Sequence, residues 1–562
     1  MGVRFAAIRT IAAQPYRKLS GMTAGFQGQR APRVPWMWTA LIVMLLALRL
    51  PSLVEPAGGD QGLYGYAGQR ILAGDVLYRD MWDQKPPAIA FVYAALWRAW
   101  PSEAMVPAAD LVAAAAVAWL LVVLGRRLYS TEVGAGAAVL FLLFGDPYLQ
   151  RLSGIYVRAQ CEPFIALAVT ASLVLLTHPE RTRRHLAGAG AALAAAFWLK
   201  YNAAAYGAVV LLAAWMWPRA DATSARLRDV GWVAIGFAVV TSALLVYFAA
   251  NGALTELRLA TIDYNLRYSN ETYGGWRDGL RYLFGFPIER ARVDPLWFLG
   301  GLGILLIVRR VPSDRSSLVA ITWLLAAILS IAINGSRSLP NYFVQANPAL
   351  ALAASGGLWT LADSGRVLRF AVVALLIAGV WRVGSDAPVH GWRLASLPGL
   401  VENVGYDLRY VRGQIDRPDY LRRFRGQKHD ALEVESLASH LRETTHPGDH
   451  VFVFGFSGGS VLWKSQRVSS SRFFWSRPVT IGFAADRPGY GVSGLLEDLR
   501  LRPPALVALQ KEEWRSSEFF MNTEPLRRWL EAGYVFDYET PVFSVWRART
   551  GVAGRGSGVG GR

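Results

Sequence analysis

The 562-residue chain is 53% hydrophobic and only 18% charged, with a mean hydropathy of +0.26, too apolar for an ordinary soluble protein and in keeping with several transmembrane helices. Its net charge of +18 suits basic cytoplasmic loops, and no basic stripe with interleaved aromatics accompanies it, which argues against a nucleic-acid partner. Cys161 is the single cysteine, so an internal disulfide and a Cys-based metal site are both excluded.

Residues 1–34 carry Arg4, Arg9, Arg17, Lys18, Arg30 and Arg33 and no acid. They lack a short apolar core with a cleavage site and read as a basic cytoplasmic arm before an uncleaved first helix. Apolar runs of spanning or near-spanning length follow at 35–54, 104–125, 131–149, 161–177, 186–200, 203–217, 230–250, 294–310, 315–333, 343–361 and 367–384, about eleven in all. The two flanking Lys200-Tyr201-Asn202 are short. The run at 87–100 is too short to span and is expected along the interface, with Tyr93, Trp97 and Trp100 in the headgroup region.

With the N-terminus inside, every inside loop holds at least two arginines: Arg126 and Arg127, then Arg181, Arg183 and Arg184, then Arg219, Arg226 and Arg228, then Arg309, Arg310 and Arg315, then Arg366 and Arg369. That is the positive-inside pattern. The outside loops are then 55–103, 150–160, 251–293 and 334–342, together with everything after about 385.

Past that point the pattern changes. Leu432, Val434, Leu437 and Leu441 fall at helical spacing within 431–445, and Pro447-Gly448-Asp449 ends the helix. Val451–Phe454, 505–509 and 534–546 read as strands, with a further helix at 524–532. The expected architecture is an α-helical polytopic membrane protein. It comprises an arm at 1–34, a transmembrane domain at 35–384 with its first outer loop at 55–103, and a small extracytoplasmic α/β domain at 385–548. A disordered Gly-rich tail is expected at 549–562. No internal repeat is found.

The outside loops gather Asp60, Asp80, Asp83, Lys85, Arg158, Glu162, Tyr264, Arg267, Arg337, Asn341 and Tyr342. Clustering on one face suits catalysis at the edge of the bilayer. A transporter places ionisable groups nearer the midplane, and only Lys200 sits where an apolar run breaks. A flippase or transporter is therefore the second reading, and a silent glycan-binding scaffold the third.

Asp60 follows Gly58-Gly59, which lets a substrate approach the backbone. It reads as a general base for a hydroxyl or as the N-cap of a helix over 61–72, and the two roles can coexist. Lys85 precedes Pro86-Pro87, a rigid setting for a phosphate contact or for an ordinary interfacial lysine. Glu162, before Pro163, reads as a second acid or as a first-turn acid facing the helix dipole. Tyr64, Tyr66 and Tyr78 read first as interface packing. Phe454-Gly455-Phe456-Ser457-Gly458-Gly459 lacks the spacing of a nucleotide loop. The seven histidines fall in inside loops or beyond residue 385, which leaves a histidine zinc site near the first loop unsupported.

Asp60-x-x-x-Tyr64, Gly74-Asp75-x-x-Tyr78-Arg79-Asp80 and Lys85-Pro86-Pro87 resemble the first-loop signature of integral-membrane glycosyltransferases of the GT-C fold. The likeness is to protein O-mannosyltransferase-like enzymes and to bacterial transferases that modify lipid A with aminoarabinose or galacturonic acid. Arg158 to Pro163, Ala196 to Lys200, Asn341-Tyr342-Phe343, Tyr420 to Phe424 and Pro447 to Val453 extend the resemblance over most of 35–548. It implies transfer of a sugar from a polyprenyl-phosphate donor to a lipid, glycan or protein acceptor, with inversion, at the outer face of a bacterial inner membrane. Asp60 is then the base and Glu162 a second acidic position. Lys85 contacts the carrier phosphate, aided by Arg158 and Arg337, and Tyr64, Tyr78, Asp83 and Tyr342 are candidate substrate contacts. Gln84 stands where one branch has a metal-binding glutamate, and Asn341 where many relatives have histidine. These departures argue against a bound divalent metal and against the aminoarabinose reaction itself.

Overall fold

The computed structural model describes residues 35–149, 151–152, 154–217, 222–308, 314–361, 366–385 and 397–549. The arm expected at 1–34, and all but the first residue of the tail expected at 549–562, lie outside the described residues.

Helices cover each of the eleven apolar runs. Among the described residues, four helices are long and apolar enough to cross a membrane: Trp36–Val54, Met105–Leu128, Thr223–Ala250 and Arg315–Ile333. The shorter apolar helices Thr131–Phe144 and Cys161–Leu176 pack on Met105–Leu128, and Pro295–Ile307 packs on Thr131–Phe144. Caps fix several starts. Ser130 accepts from the Val133 amide, Asp294 from those of Leu296 and Trp297, and Asp314 from those of Ser316 and Ser317. Each satisfies amides that a first helical turn leaves unpaired. The break at Lys200 is a true helix end: the residue is extended (φ −157°, ψ 130°), and a 3-10 stretch, Tyr201–Tyr206, follows.

The short run at 87–100 forms the 12-residue helix Ala88–Ala99. Trp100 is exposed, but Tyr93, expected among headgroups, is fully buried. Its ring meets Tyr64 edge-on at 5.4 Å, and its hydroxyl donates to the Ala159 carbonyl at 3.0 Å. The partner that overrides the interfacial preference is the helix Asp60–Leu72, which packs along this segment.

The C-terminal region contains a five-stranded sheet in the order Val468–Ser469, His450–Phe454, Leu506–Gln510, Phe543–Ala548 and Tyr534–Glu539. The first three strands are parallel, and the last two join antiparallel as a hairpin. The strand expected at 534–546 is thus two strands turned at Thr540-Pro541-Val542. The central strands are buried almost throughout, as their unbroken apolar runs require. Asp430 caps the expected helix, Ala431–Thr444.

The helix Gly458–Ser465 seats this region on the first loop by packing against Asp60–Leu72. Gly62 permits the approach, because a Cβ there would lie 1.9 Å from Ser460 Oγ. The tyrosine hydroxyl of Tyr66 accepts from the Ser469 amide at 2.9 Å, and the Trp82 amide donates to the Arg472 carbonyl at 2.8 Å. The first loop is thereby clamped between the helices and the sheet.

Candidate active site

Gly59, not Asp60, is the N-cap of Asp60–Leu72, and it adopts φ 54°, ψ −129°, a backbone open to glycine and strained for other residues. Asp60 is the first helical residue. Its side chain makes no capping bond and instead places Oδ2 3.9 Å from Lys85 Nζ. Burial works against the Lys85 ammonium, but the Asp60 carboxylate beside it prevails and raises its pKa above the usual lysine value.

Two devices hold Lys85. Pro86-Pro87 follow it, and the Tyr78 hydroxyl donates to its carbonyl at 2.7 Å. Tyr78 is fully buried with φ 73°, a left-handed conformation that costs a non-glycine residue about 1–3 kcal/mol and marks functional sites. Asp83 is also buried and accepts from the Gln84 amide at 2.7 Å. Burial pushes its carboxyl up to about 6; Lys85 pulls against the shift and Asp60 adds to it.

These residues floor a cavity of about 350 Å³, within the size range of small-molecule sites. Asp60, Asp83, Gln84, Lys85, Asn341 and Tyr342 form one wall, and Lys428, Phe456, Trp475, Arg477, Glu513 and Trp514 form the other. Tyr268 and Arg337 close its side. Cations lie over aromatic rings: Arg337 over Tyr268 at 3.5 Å, Lys428 over Trp514 at 4.4 Å and Arg477 over Trp514 at 5.2 Å. Glu271 holds both Arg337 (3.0 Å) and Arg477 (2.8 Å). Gln84 Oε1, Asn341 Oδ1 and Trp475 Nε1 are buried without a hydrogen-bond partner, and all three residues line the cavity. A bound polar molecule would satisfy them.

A second cavity of about 200 Å³ shares Gln84, Lys85, Tyr268 and Tyr342 with the first and adds Lys200, Asn202, Thr261 and Asn265. Lys200 pairs with Glu162 at 2.6 Å and lies 4.3 Å from the centre of the Tyr342 ring. A π turn, Leu259–Asp263, aims the next residues here, a device common at functional sites. Asn265 uses it to donate to the Gln84 carbonyl at 2.7 Å. A larger cavity of about 590 Å³ is lined by mainly apolar residues such as Leu299, Leu358 and Val380, and no residue of the first loop reaches it.

Asp60, Asp83, Lys85, Arg337 and Tyr342 therefore share one cavity. Glu162 sits behind its wall, 1% exposed, bound by Lys200 and by the Asn341 amide at 3.2 Å. Tyr64 is buried against Tyr93, and Tyr78 stands behind Lys85. Arg158 lines neither cavity. It forks onto Glu55 at 2.6 and 3.0 Å, reaches Asp110 at 3.4 Å and covers the Tyr148 ring at 4.6 Å. The carboxylates that claim it, Glu55 and Asp110, are distant from it in sequence.

Sequence reasoning missed the wall contributed by the C-terminal region. Its one local signal is aromatic and basic residues side by side, in Phe473-Phe474-Trp475-Ser476-Arg477 and Glu513-Trp514-Arg515. It also passed over His429. This buried imidazole accepts from the Gly59 amide at 3.4 Å, and burial followed by the nearby Lys464 charge lowers its pKa to about 3, which keeps it neutral. As for a metal, Gln84 offers an amide rather than an acid. Among the described residues, no three or more His, Cys, Asp or Glu side chains converge as ligands would, so the residues present do not fit a divalent ion.

No family model matches the chain, and no curated protein matches it in sequence. Among solved structures, ArnT from Cupriavidus metallidurans bound to undecaprenyl phosphate aligns with a TM-score of 0.59 at 14% identity, over 93% of this chain and 99% of that one. The same protein in its apo state aligns at 0.58 and 15% identity, over 93% and 98%. The likeness shows the fold, which is that of the GT-C membrane enzymes the first-loop motif resembles.

Proposed function

We propose that the chain is a membrane glycosyltransferase that moves a sugar from a polyprenyl-phosphate donor to an acceptor hydroxyl at the outer face of a bacterial inner membrane. One observation carries the reading. An aspartate and a lysine lie 3.9 Å apart where a roomy two-walled cavity meets a smaller one holding a second lysine. The likeness to a protein solved with undecaprenyl phosphate supports the same donor class.

In this reading the smaller cavity takes the carrier phosphate, between Lys85 and Lys200, and the larger takes the sugar and the acceptor. Asp60 accepts the acceptor proton as the new C–O bond forms at the anomeric carbon. The bond from that carbon to the phosphate oxygen breaks on the opposite side, and the phosphate leaves with its electron pair. Lys85 stabilises the charge that develops there. Displacement from one side inverts the anomeric centre. Tyr78 keeps the lysine in place rather than touching substrate, and Glu162 holds Lys200 in the same indirect way. Arg158 has no part in phosphate binding.

The test is transfer of radiolabelled sugar from membrane polyprenyl-phosphate donors, comparing the native chain with Asp60→Asn at equal expression. A fall of about 10²–10⁴-fold is expected for loss of a general base. Undiminished transfer would remove Asp60 from that role, and a retained anomeric configuration would exclude the single displacement.

A further inference from the structure

The helix Trp276–Ala291 belongs to none of the apolar runs, yet it carries an uncovered apolar stripe. Trp276, Leu280, Phe284 and Ile288 are 72%, 45%, 71% and 62% exposed. They recur every fourth residue, and at about 100° per residue they occupy one side of the helix. The side about a third of a turn away faces the protein. There Phe286 packs against Trp297 and Phe343, with ring centres 5.7 and 5.8 Å apart, and Arg290 pairs with Asp294 at 3.1 Å.

The remaining surface is ordered by charge. Arg277 and Arg281 border the stripe and are exposed, and the acids Asp278 and Glu289 lie beyond them. Arg281 reaches Asp278 at 3.6 Å, and Arg277 lies 5.5 Å from the Trp276 ring. Apolar residues, then cations, then acids is the order met on passing from acyl chains through phosphates into water. The stripe also adjoins surface of the same kind. The helix packs on Arg315–Ile333, a segment apolar and long enough to span, whose Leu325, Leu329 and Ile333 are exposed as well.

We propose that Trp276–Ala291 lies in the headgroup layer of the bilayer, its stripe among the acyl chains and Arg277 and Arg281 on lipid phosphates. The proposal rests on the reading of this chain as membrane-embedded and gives the helix a further role. Only residues 271–275 separate it from Tyr264–Asn270, whose Tyr268 walls both cavities. Glu271, in that connector, holds Arg337 and Arg477 together. The lipid surface thus anchors the segment that shapes the site.

The test places one fluorophore on each side of the helix. In a Cys161→Ser background, Phe284→Cys and Glu289→Cys are each labelled with a nitrobenzoxadiazole probe. The full chain is then reconstituted in phosphatidylcholine–phosphatidylglycerol vesicles. At position 284 the emission is expected to shift to the blue and to fall about twofold or more with doxyl-labelled lipid. At position 289 iodide is expected to quench about fivefold more than at 284. Equal access of iodide to both positions would overturn the proposal. Protection of 284 from iodide without quenching by doxyl lipid would overturn it too, by showing protein rather than lipid on the stripe. Neither readout needs sugar transfer, so failure here leaves the catalytic reading standing.

Discussion

Two clusters of acids and cations, both with members in the first loop, differ in how they are enclosed. In one, Arg49 and Arg158 meet Glu55, Asp110 and Asp146, and every member is 5% exposed or less. In the other, Asp60 and Lys85 stand 3.9 Å apart with side chains 18% and 14% exposed, beside a cavity lined by residues with unpartnered buried polar atoms, among them Gln84, Asn341 and Trp475. The closed cluster pairs its charges with one another and lines none of the three cavities, although Arg49 Nε and Asp146 Oδ2 make no hydrogen bond within it. The open one leaves its charges loosely paired and its polar atoms free for a ligand. The contrast teaches that residue type marks neither cluster as functional; closure does.

The largest expected effects break the comparison directly. Arg158→Met leaves buried Glu55 without its cation, while Asp110 keeps Arg49, and losing one member of a buried pair costs about 3–5 kcal/mol. Tm should fall sharply. Adding Glu55→Leu should restore most of the loss, since an apolar pair can replace a buried ion pair at little cost. Sugar transfer should return with it. If the double variant is stable and inactive, Arg158 serves the donor phosphate and the cluster is not a scaffold. Asp60→Asn should do the reverse, lowering transfer about 10²–10⁴-fold with Tm almost unchanged.

Asp83 sharpens the comparison through pH. Its folded carboxyl titrates near 6, about two units above an unfolded aspartate. Between about pH 4 and pH 6 the folded chain binds the extra proton, so stability falls as pH rises through that window and is flat above it. The sum is about 3 kcal/mol. Asp83→Asn should be more stable than the native chain above the window and level with it below. Tm values of both at acid and neutral pH test this, and a constant difference at the two would break it.

The first loop was the most legible part of the molecule. Asp60, Tyr78, Asp83 and Lys85 lie within one short stretch, so local sequence and the resemblance both point to them. The apolar runs and the capped helix Ala431–Thr444 were equally readable from periodicity and breakers. The opposite wall was not. Lys428, Trp475, Arg477 and Trp514 share a cavity with Asp60, where Gly62 lets a distant helix settle on Asp60–Leu72, and no local pattern encodes that approach. The setting of Arg158 is hidden from sequence for the same reason. An arginine at the mouth of a helix looks alike in sequence whether it faces a cavity or carboxylates from elsewhere in the chain.

The smallest effect compares two tyrosines. The Tyr78 hydroxyl donates to the Lys85 carbonyl at 2.7 Å, and that of Tyr148 donates to Asp407, which also accepts from Tyr420 at 2.7 Å. Phenylalanine at either position removes one buried hydrogen bond, a loss of about 1–3 kcal/mol, although Asp407 keeps its bond from Tyr420. Tm should therefore move by similar amounts in the two variants. Only Tyr78 is tied to the open cluster. Without its bond the Lys85 backbone keeps only Pro86-Pro87 and the bond from its amide to Asp83, and the ammonium samples positions away from the phosphate. Tyr78→Phe should raise the donor KM about threefold to tenfold, as expected for about 1 kcal/mol of lost binding, whereas Tyr148→Phe should leave it unchanged. Equal KM values in both variants would mean that Tyr78 belongs with the scaffold after all.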